Sequence, residues 1–535
     1  MLEESADGRR NWLLDRQQRD EKARIQIDRL TLDRARLIYD NPKLKTTIQS
    51  EISSQPAADQ DTDAPGITIA AEGIYQGLPL SARGSGGSVP YPLQVDGVIG
   101  RTKLQAEGTI TSLIKFTAID MDLGLSGENL ADLFPVLGVA LPKTGPYDTR
   151  GHLAHDAKMW RYENFTGRIG ASDIGGTLQV DTGGKRPFLH GALQSGVLNF
   201  ADLGPVIGAK DKGPKEKKEK KEPLVTVEVA PQKSLPTGRR VLPELPFTTE
   251  RWDSVDADVQ LKAKSIRRAK ELPIENLDVH LKMQDSVITL DTLKFGVAGG
   301  NLSGTIMLDG QQDPIHARAK IQARKLHLRK LFPTLILNKT SIGHINGDFD
   351  LSGDGNSVAR ILATADGKAA LVIAGGEISK LMMEAAGLHL WEMLRLKIKG
   401  DQVIDLNCGV ADFNVKNGLM RTEVLVLDTQ VITINAEGGI DLAQEKLDLT
   451  LTPKTKQTRL IALRSPIYIR GSFSKPKAAL DAGQVAARSL GAVALGTVNP
   501  LLALLPLVET GPGLDSDCGR LIHEAQEPAD KTATK

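Results

Sequence analysis

Three groups of side chains in this 535-residue sequence have types and spacing that invite a chemical reading. His152 and His155 lie three apart with Asp156 beside them, the residue types that ligate zinc. No cysteine accompanies them and the spacing matches no known ligand set, so a solvated histidine pair is expected. Asp348-Phe349-Asp350-Leu351-Ser352-Gly353 opens like a calcium loop, whose twelfth position must supply a bidentate acid. That position is Ala359, and a hairpin turn rich in Asp and Gly is the better reading. Gly353-Asp354-Gly355 begins a dinucleotide fingerprint but continues with Asn356, Ser357 and Val358, without the third glycine that helix packing needs. There is no phosphate-binding loop and no Gly-x-Ser-x-Gly elbow. The nine histidines, His280 and His316 among them on the polar side of strands, form no base and nucleophile arrangement. The chain reads as a non-enzyme with no cofactor and no metal.

Composition narrows the remaining classes. Lys+Arg 67 against Asp+Glu 66 leaves a net charge of +1, which argues against a nucleic-acid binder, since those carry a strongly basic face. Hydrophobic residues at 40% and charged residues at 25% are those of a folded protein. Aromatic content is only 4%, so whatever is buried is mostly Leu, Ile, Val and Ala. The two cysteines, Cys408 and Cys518, leave open one disulfide or two inert thiols. Met1 to Arg24 is dominated by charge where a signal peptide would need an apolar core; taken literally, that reads as cytosolic.

The elements that must position any site follow a period of two. Val255, Ala257, Val259, Leu261 and Ala263 alternate with Asp256, Asp258, Gln260, Lys262 and Lys264, the pattern of a half-buried antiparallel strand. It returns at Leu277 to Gln284, at Ile315, Ala317, Ala319, Ile321 and Ala323, and at Leu447, Leu449 and Leu451. A short unit with glycine inside a strand-like run recurs at Ala106 to Ile110, Ile174 to Leu178, Leu302 to Ile306 and Ala436 to Ile440; glycine there predicts a bulge, a bend or a close backbone approach. A second unit, built around Leu-x-x-Leu and a proline, recurs at Leu130 to Leu137, Phe200 to Ile207 and Leu328 to Leu335, and reads as a short helix or turn capping a run of hairpins.

The expected fold is therefore mainly β: an elongated, repetitive, curled antiparallel β-groove with a few short capping helices. Several β-sandwiches in a row are the alternative. The expected organisation is a charged segment at 1–20, a first β-repeat region at 21–208, a Lys-rich flexible linker at 209–240 around Lys210 to Glu222, a second β region at 241–482, and an apolar helical segment with a polar tail at 483–535. Ser50 to Asp63 reads as a weaker loop. Glu377 to Leu396 is helical in composition, with Ile378, Leu381, Met382, Ala385 and Leu388 on one face. Val485 to Val508 is apolar but broken by Gly491, Gly496, Pro500 and Pro506, which fits a buried helix pair or a membrane-contacting segment rather than a simple span.

In order along the chain, several stretches resemble the AsmA family of Gram-negative envelope proteins. They are Ile25 to Leu32 with Leu37 to Pro42, Leu125 to Pro135, Phe165 to Gly170, Asn407 to Phe413, Leu427-Asp428-Thr429, Gly438 to Leu442, Arg464 to Ile467, Gly471-Ser472-Phe473 with Pro476, and the tail from Asn499-Pro500-Leu501 to Cys518. The resemblance covers roughly 20 to 525. It implies a periplasmic, inner-membrane-associated protein related to TamB and to the bridge-like lipid transfer proteins, with a β-groove that carries phospholipids in support of outer-membrane biogenesis. Members usually begin with a transmembrane helix; the expectation is that this anchor lies upstream of Met1. An oxidising periplasm would let Cys408 and Cys518 pair, tying the terminal segment to the sheet; two buried thiols are the alternative.

If the sheet closes, its apolar faces make an ordinary core; if it stays open, they line a trough that an acyl chain fits better than a flat ligand. On the second reading the lining includes Val255, Ala257, Val259, Leu261, Ile315, Ala317, Ala319, Ile321, Leu447, Leu449 and Leu451. The expected partners are phospholipid acyl chains and a membrane, the inner one with the outer as a further candidate, together with candidate outer-membrane assembly proteins and no nucleic acid. The rival function is an assembly factor for outer-membrane proteins, pairing client strands to its sheet edges.

Overall fold

The computed structural model describes residues 31–55, 66–86, 91–112, 117–133, 144–156, 158–199, 240–247, 252–267, 274–327, 343–380, 402–456, 465–480 and 514–526, with a few isolated positions. The fold is mainly β, as the period-two runs require, and the chain divides into two compact units. Lys210 to Glu222 and Val485 to Val508 lie outside the described residues, as do most of the two later proline-centred repeats.

The first unit contains twelve consecutive strands, from Ala35–Asn41 to Phe188–Asn199 and then Asp256–Arg267. Neighbours up to Phe188–Asn199 pair antiparallel, as in Leu93↔Gly108, Met121↔Leu153 and Leu178↔Gly191. Asp256–Arg267 departs from the expectation of an antiparallel strand: it runs parallel to Phe188–Asn199, with Leu189↔Ala257 and Leu193↔Leu261 in register. A hairpin cannot produce that pairing, but the 56 residues between Asn199 and Asp256 are ample for the long connection it needs. Because side chains alternate in both pairings, the apolar face is preserved. The predicted loop from Ser50 is also displaced, since Thr46–Gln55 is a strand paired with Gly66–Tyr75 through Ile52↔Ile69.

In the second unit, eleven strands follow one another in an antiparallel ladder from Val287–Val297 to Lys475–Leu480. The helix expected from Glu377 does not start there. Gly375 and Gly376 have φ of 70° and 135°, and after them Glu377–Ser379 forms a short strand on Asp405, Ile404 and Val403; most of 380–396 lies outside the described residues. Ile378 and Met383 are buried with Ile404, Leu406, Val431, Ile432 and Ile434. The capping turns are real where they are described: Leu130–Leu133 is a single 3-10 turn with Leu133 buried.

All four glycine repeats mark a close approach. A Cβ at Gly108, Gly176, Gly304 or Gly438 would lie 2.0 to 2.3 Å from a carbonyl oxygen of the adjoining strand, a distance no real side chain tolerates. Each stands opposite a larger apolar residue, respectively Met121, Leu193, Ile321 and Leu449.

Candidate functional site

Register turns the alternation of single strands into a continuous surface. In the second unit Leu290 faces Ile306, Ile306 faces Ala319, Ala319 faces Leu351, and Ile321 faces Phe349. The line continues through Phe349↔Ala369, Ala369↔Phe413 and Leu371↔Ala411, and then, several strands on, through Ala436↔Leu451 and Leu449↔Ile469. Ile315 to Ile321 and Leu447 to Leu451, named separately from sequence, thus share one face of one sheet with five strands between them. The Val255 set lies instead on the corresponding face of the first unit, beside Leu189, Gly191 and Leu193.

Burial is graded along each of these two surfaces. Val255, Ala257, Ile315 and Ala317 are buried, at the strand ends. Val259, Leu261, Ala319, Ile321, Leu447, Leu449 and Leu451 are only half-buried. A closed sandwich would bury such mid-strand positions, so aliphatic surface is left partly open to solvent, which a folded chain normally covers. Sequence reasoning missed the aromatic members, Phe349 and Phe413; Phe349 is hidden because Asp348 to Gly353 reads as a turn. It lies inside the strand His344–Asp354. Phe349 and Leu351 face the apolar side while the acids face out: Asp348 pairs with Arg324, and Asp350 with Arg318 and Lys320. Burial pushes the Asp350 carboxyl upward, but hydrogen bonds from Arg318 and Lys320 outweigh it and hold it below the ordinary carboxylate range.

The histidine pair is likewise split by the strand. An odd spacing sends His152 and His155 to opposite faces. His152 lies 3.2 Å from Asp120 and 3.5 Å from Asp122 on the polar side, whereas His155 is buried and stacked on Trp160, 3.9 Å between ring centres. It is not solvated, contrary to expectation. His280 meets Asp258 at 2.7 Å and His316 meets Asp354 at 2.8 Å. Among the described residues no three His, Cys, Asp or Glu side chains converge as metal ligands, and no helix is long and apolar enough to cross a membrane. A cavity of about 640 Å³ forms a furrow on the polar side of the first unit. Glu72, Asp96 and Asp148 alternate there with Arg83, Lys103 and Arg150, a balanced lining unrelated to the apolar stripe.

A second constellation gathers motifs that were separate in sequence. Cys408 and Cys518 are joined by a disulfide with a Cα separation of 5.8 Å. Nearby, the fully buried Asp428 carboxylate forms an ion pair with Lys456, itself bonded to Asp515. Asp428 also accepts from the Asn407 amide at 3.2 Å, the Thr433 hydroxyl at 2.9 Å and the Ser516 backbone N–H at 3.1 Å. Burial raises this carboxyl, and the Lys456 ammonium with the three other donors more than reverses that, leaving it below its ordinary value. The tail so fixed carries the helix Cys518–Gln526. Its Leu521, Ile522 and Ala525 cover Ala370, Val372, Val410 and Val424, an apolar patch on the otherwise polar side of the sheet. Nothing in the sequence of Asp428 or Lys456 alone signals this clamp; only the motif order links Asn407-Cys408, Leu427-Asp428-Thr429 and Cys518.

Two comparisons bear on what such a surface is for. A family model described as the AsmA family matches residues 85–425. A curated relative, AsmA family protein YhjG of Escherichia coli (strain K12), is 35% identical over 531 residues, covering 94% of this chain and 77% of the relative.

Proposed function

The chain belongs to the AsmA family, and from that premise we propose that it is a non-catalytic lipid carrier of the bacterial envelope whose half-buried aliphatic stripe holds phospholipid acyl chains. The observation that carries this reading is the stripe itself: half-buried Ile321, Leu449 and their neighbours share one largely apolar face of a single sheet. Covering that face with an acyl chain contributes about 25 cal/mol for each Å² removed from water. No side chain has to change its covalent state for lipid to slide along such a lining, so the role needs no catalytic group. The protein works at the periplasmic side of the inner membrane and supports outer-membrane biogenesis.

Native mass spectrometry of the purified full chain tests the reading. Adducts with phospholipid masses are expected; a chain carrying none would sink it. The rival role, an assembly factor that pairs client strands to its edges, has less in its favour. The last described strand, Lys475–Leu480, carries Lys475, Pro476 and Lys477, the residues by which natural edges resist strand addition.

A further inference from the structure

Charge separates sharply at the end of the second unit. From Lys446 to Leu480 the sequence has eight Lys and Arg residues and one acid, Asp448, a net +7 in a chain that totals +1, so that the rest sums to −6. Register gathers five of the eight on one face. Asp448 faces Arg470, Arg470 faces Lys477, and Ser472 lies between Lys446 and Lys475. With the period of two, Lys446, Lys454, Arg470, Lys475 and Lys477 all project away from Leu447, Leu449 and Leu451. All five are exposed. Lys456 is committed to Asp428, and Arg459 and Arg464 lie outside the described residues.

Two further observations indicate that this face meets an anion. Arg470 stands directly across from Lys477, and like charges directly opposed in a ladder are destabilising; among the described residues of these three strands Asp448, 2.8 Å from Arg470, is the one acid. The position is also telling. Among the described residues Lys475–Leu480 pairs only with Ile467–Ser472, so the cationic face coincides with the edge at which the apolar stripe ends.

We propose that the exposed cationic face of Lys446–Thr455, Ile467–Ser472 and Lys475–Leu480 docks on a membrane surface bearing anionic phospholipid headgroups, bringing the end of the apolar stripe to the bilayer. The proposal rests on the lipid-carrier reading. An acidic protein would match the charge, but it would give no reason for the charge to collect where the acyl lining stops. Each Lys or Arg held near an anionic bilayer contributes roughly a fivefold gain in affinity, and salt screens it.

The test is sedimentation of the full chain with vesicles of phosphatidylcholine alone or mixed with phosphatidylglycerol. Binding is expected to the mixed vesicles, weakening as salt rises, and the pair Lys475→Ala with Lys477→Ala should reduce it by about 25-fold with an unchanged circular dichroism spectrum. Equal binding to both vesicles, indifference of the folded double variant, or capture of acidic proteins without vesicle binding would each overturn the proposal. Native mass spectrometry of the unsubstituted chain beside the variant separates the two ideas. A chain that keeps its lipid but ignores charge defeats the docking face alone, whereas a chain that docks yet is empty defeats the carrier reading alone.

Discussion

Gly304 stands directly across from Ile321 in the second unit, and a Cβ at position 304 would lie 2.3 Å from the carbonyl oxygen of Lys320. Gly438 repeats the relationship opposite Leu449, where the distance to the Asp448 carbonyl oxygen would be 2.1 Å and φ is +135°. At both places the adjoining backbone occupies the space of a side chain, so neighbouring strands approach more closely there than any other residue allows. The apolar floor opposite is built from the branched side chain alone.

Gly438→Ala should therefore cost more than the loss of glycine's flexibility would return, since it combines a left-handed φ with overpacking. A destabilisation of roughly 1–3 kcal/mol is expected, read as a lower midpoint in urea. An unchanged or raised midpoint would show that the strand can step aside.

Lys456→Met should strand the buried Asp428 carboxylate. Removing one partner of a buried pair costs about 3–5 kcal/mol, measured by urea unfolding at neutral pH. If stability is unaffected, the pair has no structural weight.

Acid should act on the same residue. Asp428 is held below its ordinary value in the folded chain, so its contribution is fully present above the unfolded carboxylate range near pH 4 and is lost as pH falls through the lower folded value. The unmodified chain should keep its tail clamped at neutral pH and loosen only in acid. Hydrogen exchange at Leu521 and Ile522 across a pH series reads this directly; protection that falls between neutrality and pH 5 would contradict it.

Cys408→Ala with Cys518→Ala removes a link across 110 residues. Chain-entropy accounting assigns closure of that size about 4–5 kcal/mol. The variant should unfold earlier, and the helix Cys518–Gln526 should become the first site of proteolysis. Equal resistance of the tail in both chains would assign its hold to Asp428 and Lys456 alone.

Much of this was legible because strands write themselves in a period of two. The runs at Val255, Ile315 and Leu447 declare their apolar faces without reference to any neighbour, and a glycine inside such a run announces crowding before the crowding residue is known. What needs a partner strand was not legible. Leu189 beside Ala257 is a parallel pairing made across a 56-residue connection, and no local pattern encodes the direction of the return. Asp348 to Gly353 misleads for the opposite reason: its acids look like turn residues until Arg318, Lys320 and Arg324 are brought opposite them. The clamp at Asp428 depends on residues up to 88 positions away, and its logic is visible only once Ser516 and Lys456 converge.

The most direct test of the central claim contrasts adjacent residues. A photoreactive benzoylphenylalanine at Leu449 or Ile321 would sit on the apolar stripe, and at Thr450 or Lys320, one residue along, on the polar side. Irradiation in cells followed by mass analysis should yield phospholipid adducts at 449 and 321 and none at 450 and 320. Adducts at all four positions, or at none, would contradict a lipid held along this face.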